Sequence, residues 1–362
     1  MNKYSFELKH TNIAKGFFIL AMVFHHVFAP EMNPWINKAA GGTTPYLLTQ
    51  ISFLCKVCVG GFAFLSAYGI TKKLMSAESK KENETVIVLT RLVKFYFSFW
   101  PIFLIGLVGT ILFGETPLTG IYQNFLTYKF SWILPIVDAL GFADMLGSPT
   151  LNMSWWYITV ALFIIIATPL YNHLYSKFKD AFALVICILP YALSKPDFNI
   201  YFTIPVLGVL FAREDLLSRL KARGQGSAGK WILKLLFSLA MLYVSFELCN
   251  SLLALTILPL GTFACMYFCF VILSDIPVLR KILEFFGKHS ANIFFVHTFF
   301  YYYWFTYHIY MLENKFLIYG AVFGASLLVS ILVEVLKKIV RYNKLEQSVI
   351  SHLTKLICKQ DT

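Results

Sequence analysis

The chain has 362 residues, 58% of them hydrophobic and only 14% charged, with a mean hydropathy of +0.67. A soluble globular domain carries about 25% charged residues, so this composition excludes that class and predicts an integral membrane protein. The 31 Lys and Arg outnumber the 19 Asp and Glu, for a net charge of +12. In a soluble protein that excess would suggest nucleic acid. Here the basic residues cluster in short loops beside apolar runs, so membrane topology explains them without a nucleic-acid partner.

A spanning helix needs about 20 apolar residues to cross a hydrocarbon core about 30 Å thick. Ten segments qualify in chain order: Ile13 to Ala29, Leu47 to Ile70, Leu92 to Phe113, Trp155 to Tyr175, Ala181 to Ser194, Phe198 to Ala212, Trp231 to Asn250, Leu252 to Leu273, Ala291 to Tyr310 and Phe316 to Val340. The fifth and sixth are short and joined by a tight Leu-Ser-Lys-Pro-Asp turn, so this hairpin either spans or re-enters. Lys3, Lys9 and Lys15 ahead of the first run resemble a signal peptide, but no small-x-small cleavage site follows. A retained first helix is expected.

If the N-terminus is cytoplasmic, 26 of the 31 basic residues fall on the inner side, with Lys38, Lys129, Lys195 and Lys315 outside and Lys56 within a span. Such a bias predicts both termini inside. The expected fold is an all-α polytopic bundle of about ten transmembrane helices, with residues 1–340 as one membrane domain. The segment Gly114 to Ser154 is too apolar for a free loop and is expected to fold over the outer mouth. After Arg341, the residues Leu345, Val349, Leu353 and Leu356 recur at helical spacing among lysines. Residues 341–362 therefore read as an amphipathic cytoplasmic tail on the inner leaflet, in contact with membrane lipids.

Seven cysteines, six of them in apolar runs, read as free thiols. Cys55 and Cys58 form a C-x-x-C without a second Cys or His pair at zinc spacing, so small apolar packing residues are expected and no metal.

The first helix ends on His25 and His26. His26 lies about 20 Å along the helix from Ile13, deep but nearer the outside. An ionisable residue at that depth either faces a cavity or caps the outer end of the helix near the headgroups. Adjacent helical residues point about 100° apart, so only one of the two faces a given site. Arg91 and Lys94 sit one turn apart at the inner start of the third helix, as positive-inside decoration or as an anion site. Ser154, Trp155 and Trp156 open the fourth helix, as an interfacial aromatic belt or as a stacking platform for a sugar. His297 lies shortly after the expected inner end of the ninth helix. Lys56 and Glu247 are intramembrane charges that call for partners.

Taken together, these motifs resemble the membrane-bound acyltransferase 3 family, bacterial enzymes that O-acylate cell-surface glycans and related molecules. The resemblance covers nearly the whole chain. Asn12-Ile-Ala-Lys15-Gly with a histidine eleven residues after the basic residue resembles the family's first-helix signature, and that spacing selects His26 over His25. Val59-Gly-Gly-Phe-Ala-Phe-Leu-Ser66-Ala-Tyr-Gly-Ile resembles the second-helix pattern, and Arg91-x-x-Lys94 the entrance to the third helix. Ser154-Trp-Trp-Tyr resembles the Trp-rich helix start, and Phe286-Gly-Lys-His-Ser290-x-x-Ile-Phe-Phe-Val-His297 the late histidine pattern. The chain departs from the family in Asn12, where many members carry Asp, in Ala67, which replaces Gly, and in Lys94, which replaces an Arg and loses its planar fork.

The resemblance implies an acyl donor, acetyl-CoA first among candidates, used as a co-substrate with no permanently bound cofactor. The acceptor is a hydroxyl of a surface polysaccharide or of a lipid-linked sugar precursor, and the setting is the bacterial cytoplasmic membrane. It implies His26 as general base or as acyl carrier. Arg91, Lys94 and His297 are donor-side residues, Ser154, Trp155 and Trp156 acceptor-side residues, and Asn12, Lys15, His25, Ser66 and Ser290 supporting ones. Association with further copies of the chain stays open. The rival reading is a transporter or flippase of a glycan intermediate, which the same aromatics and buried charges would suit. Against it, no internal repeat is visible.

Overall fold

The computed structural model describes residues 6–29, 46–80, 82–124, 127–222, 228–249 and 258–360. Lys3, Lys38, Arg223 and the 252–257 start of the eighth expected span lie outside the described residues. The protein is an all-α polytopic membrane protein. In chain order its helices are α1 (Leu8–Phe28), α2 (Tyr46–Cys55), α3 (Cys58–Lys80), α4 (Glu84–Phe113), α5 (Ile133–Ala139), α6 (Trp156–Ala192), α7 (Thr203–Arg213), α8 (Leu216–Ala222) and α9 (Ala228–Cys249). They continue with α10 (Leu258–Tyr267), α11 (Pro277–Thr298), α12 (Thr306–Tyr310), α13 (Lys315–Ile339) and α14 (Tyr342–Gln360).

Among the described residues, seven helical stretches are long and apolar enough to cross a bilayer. The fourth and fifth expected spans form one stretch, broken at Lys179, whose backbone leaves helical geometry at φ 52° and ψ −132°. The sixth becomes a 3₁₀ turn, Pro196–Ile200, followed by the 11-residue α7. At 1.5 Å per residue α7 reaches about 16 Å, roughly half of the hydrocarbon thickness. The ninth begins earlier than its apolar run suggests. Residues 277–290 already form the first part of α11, an amphipathic segment with Glu284 and Lys288 paired one turn apart at 3.5 Å.

Asparagines start several of these helices. Asn83 accepts from the Thr85 N–H at 2.8 Å to cap α4, and Asn314 accepts from Phe316 and Leu317 to cap α13. Each supplies an acceptor to a first-turn donor that the helix leaves unpaired.

Contacts divide the chain into two compact units. The first holds α1, α2, α3, α7, α8, α9, α10, the later part of α6 and the first part of α11. Within it α3 packs along α7, and α1 packs on α2 and α3. The second holds α4, α5, the start of α6, the end of α11 and α12 to α14. Its core is aromatic, with Phe99, Phe103, Trp155, Phe295, Phe299 and Trp304 packed together. In this unit α14 lies against the start of α4, where Ile350, Leu353 and Ile357 meet Val86, Leu89 and Val93. Leu353 of the expected apolar stripe takes part in this contact, whereas Leu345 and Leu356 are exposed.

Candidate active site

The first helix delivers its two histidines to different surroundings. His25 is buried, and its Nδ1 lies 2.7 Å from the main-chain oxygen of Ser52 on α2. A carbonyl only accepts, so Nδ1 carries the proton and Nε2 keeps the lone pair. His26 is half-buried, with its ring 5.5 Å from that of His25. The hydrogen bond to Ser52 fixes α1 to α2 one residue before the imidazole that the motif spacing selects.

The base of α1 meets the late histidine motif directly. A Cβ on Gly16 would run into the main-chain carbonyl of Leu283, and one on Gly287 would run into that of Asn12. Each helix thus brings a glycine to the other's backbone, the close approach that small residues permit between membrane helices. Asn12 and Lys15 flank this crossing on α1. Ser290 follows on α11 and donates to the Gly287 carbonyl at 2.9 Å. Ser66, half-buried on α3, belongs to the same unit.

The second unit joins the Trp-rich motif to the other end of α11. Asn152 caps the turn that leads into α6: its Oδ1 accepts from the Ser154 N–H at 2.9 Å, the Ser154 hydroxyl at 2.8 Å and the Thr298 hydroxyl at 2.8 Å. The indole N–H of Trp155 donates to the Phe295 carbonyl at 3.0 Å. Phe99, Phe103 and Phe299 surround its ring. Trp155 is thus a core residue, whereas Trp156 beside it is 37% exposed. His297 is fully buried in the last turn of α11 rather than near the helix start, because α11 begins at Pro277. Its Nδ1 donates to the Phe294 carbonyl at 2.8 Å, which leaves Nε2 as the acceptor.

Asp138 anchors the segment between α4 and α6. Its carboxylate accepts from the Tyr122 hydroxyl at 2.7 Å, the Leu151 N–H at 2.7 Å and the Thr150 hydroxyl at 2.9 Å. Burial pushes the Asp138 carboxyl above the usual carboxylate range, partly offset by the three donors. Burial and the adjacent Asp138 also raise the Tyr122 phenol. Beside this anchor lies a cavity of about 140 Å³, whose lining includes Asp138, Asp144, Thr150, Met153, Trp155 and Trp156. The apolar segment expected to fold over the outer mouth is thus held by a buried carboxylate.

Arg91 and Lys94 lie on α4, which starts at Glu84, so they stand about two to three turns inside the helix. Arg91 is half-buried and Lys94 exposed. Lys56 is exposed at the junction of α2 and α3. Of the predicted site residues, Asn12, Lys15, His25, His26, Ser66 and Ser290 belong to the first unit. Arg91, Lys94, Ser154, Trp155, Trp156 and His297 belong to the second. Sequence reasoning missed Asn152 and Thr298; an Asn two residues ahead of Ser154 at a helix start is the N-cap signal that points to the first.

No curated protein and no solved structure matches the chain. The model of the acyltransferase 3 family, described as an acyltransferase domain, matches residues 11–335. That match takes in the Lys15 to His26 helix, the Arg91 to Lys94 pair, the Ser154-Trp155-Trp156 turn and the Ser290 to His297 segment. The chain belongs to the acyltransferase 3 family.

Proposed function

We propose that the protein transfers an acyl group, acetyl in the simplest case, from acyl-CoA to a hydroxyl of a cell-surface polysaccharide or its lipid-linked precursor in the bacterial cytoplasmic membrane. The family match over residues 11–335 carries the acyltransferase part of this reading. The chemistry of the residues supports the finer part.

In this reading His26 removes the proton from the acceptor hydroxyl as its oxygen attacks the thioester carbonyl carbon. The carbon–sulfur bond breaks, and the departing CoA thiolate recovers the proton from the imidazolium. General-base help of this kind contributes roughly 10² to 10⁴ in rate. The His25 bond to Ser52 supports the role of its neighbour by fixing the helix that carries it. Arg91 and Lys94 supply two cations three residues apart for the phosphates of CoA. Trp156 keeps an accessible indole beside the 140 Å³ cavity, the stacking surface that a sugar ring would use.

The test is transfer of label from [¹⁴C]acetyl-CoA to extracted polysaccharide in membranes containing the protein. Surface polysaccharide from a deletion strain should correspondingly lack O-acetyl NMR signals present in its parent. Polysaccharide that stays unlabelled, with identical spectra from the two strains, contradicts the proposal.

A further inference from the structure

The cavity of about 140 Å³ lies wholly within the second unit, and its polar side chains come from Asp138, Asp144, Ser148 and Thr150. Three of these are committed inside the protein. Asp138 takes three donors, Thr150 donates to Asp138, and the Ser148 hydroxyl donates to the Ala143 carbonyl at 3.4 Å. Asp144 is the exception: it is exposed, and among the described residues its carboxylate has no hydrogen-bond or ion-pair partner. Trp156 and Met153 add exposed apolar surface to the same walls. Among the described residues, no Lys, Arg or His lines the cavity.

The frame of the cavity is held from two sides. On α4, the Trp100 indole donates to the Ala139 carbonyl and the Tyr96 hydroxyl to the Leu140 carbonyl, each at 3.0 Å. On α6, the Thr159 hydroxyl donates to the Gly141 carbonyl at 2.9 Å. Gly141 sits at φ +77°, and a Cβ there would run into the Ile158 side chain, so the chain passes close against α6 at this point. At Gly147 a Cβ would meet nothing within 4 Å, which leaves that part of the lining open. A ligand entering here meets a surface that is already formed, and little ordering has to accompany binding.

We propose that this cavity is the subsite for one uncharged sugar unit of the acceptor, in which Trp156 stacks on the ring while Asp144 accepts from its hydroxyls and turns away sugars that carry a carboxylate. This rests on the glycan-acceptor part of the reading above. An ionised carboxylate only accepts, through two oxygens, and adjacent sugar hydroxyls supply two donors. The indole supplies the flat apolar face that the C–H side of a sugar ring covers. A uronic acid brings a second negative charge into the same small space, and the lining holds no cation to balance it. Discrimination here comes from repulsion of the wrong ligand as much as from attraction of the right one. The phosphates of CoA meet the same obstacle, so the cavity serves the acceptor and not the donor.

The test uses the full-length protein in phosphatidylcholine nanodiscs, with the methyl glycosides of glucose, galactose and mannose and of the three matching uronic acids as probes. Within each pair only the group at C6 changes, from a hydroxymethyl to a carboxylate. Dissociation constants are read by saturation-transfer difference NMR at about 0.01 M ionic strength, where a Debye length of about 30 Å leaves the charges unscreened. At least one hexoside should bind the wild type about tenfold more tightly than its uronide, the effect of one nearby like charge. In Asp144→Asn, which loses the charge and keeps an acceptor oxygen, the ratio should fall to about twofold or less. Uronides that bind the wild type as tightly as the hexosides, the absence of any hexoside binding, or an unchanged ratio in the variant each overturn the proposal. Label transfer from [¹⁴C]acetyl-CoA to polysaccharide by the same preparation separates the two readings. Transfer without the charge discrimination defeats this subsite alone, whereas discrimination without transfer keeps the subsite and defeats the acyl-transfer reading.

Discussion

The indole of Trp155 donates to the main-chain carbonyl of Phe295 at 3.0 Å, which ties the opening of α6 to the last turns of α11. Two motifs far apart in sequence thus share one hydrogen bond in an aromatic core. Removing the donor but keeping the ring tests what the bond contributes. Trp155→Phe should lower the stability of the purified protein by about 1 kcal/mol, the net contribution of one hydrogen bond. Thermal denaturation in detergent checks this, and an unchanged melting temperature would show that the bond is dispensable.

Trp156 is the more accessible of the paired tryptophans, at 37% against 3% for Trp155. Trp156→Ala should therefore raise the KM for the glycan acceptor about tenfold, the loss of one stacking contact of roughly 1–1.5 kcal/mol. The KM for acetyl-CoA should stay within twofold. Steady-state kinetics with each substrate varied in turn would reveal the split, and equal effects on both would argue against an acceptor role.

The glycines at the crossing of α1 and α11 give a structural prediction with its own control. Gly287→Ala places a Cβ against the Asn12 carbonyl, and backbone cannot move aside cheaply. It should cost several kcal/mol, the range for overpacked or strained sites, and reduce folded yield. Gly320→Ala on α13 meets nothing within 4 Å and should be neutral or stabilising by up to about 1 kcal/mol. Size-exclusion profiles of the two variants side by side decide the matter.

Asp138 predicts a pH dependence. Its folded carboxyl titrates above the unfolded value of about 3.9, so the folded state binds more protons than the unfolded state between those two pKa values. Stability contributed by this group is therefore present at low pH and falls as pH rises through that window. The decline should be absent from Asp138→Asn, whatever that variant's absolute stability. Parallel slopes of melting temperature against pH for the two proteins would contradict the assignment.

Much of the fold was legible in the sequence because long apolar runs need no tertiary information: α13 appears within one residue of its expected limits and α1 within five, while α4 ends at the expected Phe113 but starts at Glu84, well before the expected Leu92. The start of α11 was not, because residues 277–290 alternate charge with apolar residues and a count of apolar length ends at Ala291. The break at Lys179 has no proline or glycine at the residue itself to announce it. In the candidate site, spacing from Lys15 singled out His26. Nothing in the sequence pairs Asn152 with Thr298, because that contact exists only once α6 and α11 are packed. The exposure difference between Trp155 and Trp156 likewise depends on which neighbour fills the core.

His26 as the base for acyl transfer is open to a direct test. Label transfer from [¹⁴C]acetyl-CoA to polysaccharide should be measured in membranes containing equal amounts of folded wild type, His26→Ala and His25→Ala. His26→Ala should lose at least 10²-fold in turnover at unchanged folded yield. His25→Ala should instead lower the melting temperature, through the unpaired Ser52 carbonyl, and retain transfer in the molecules that fold. Wild-type transfer by folded His26→Ala would remove His26 from the mechanism.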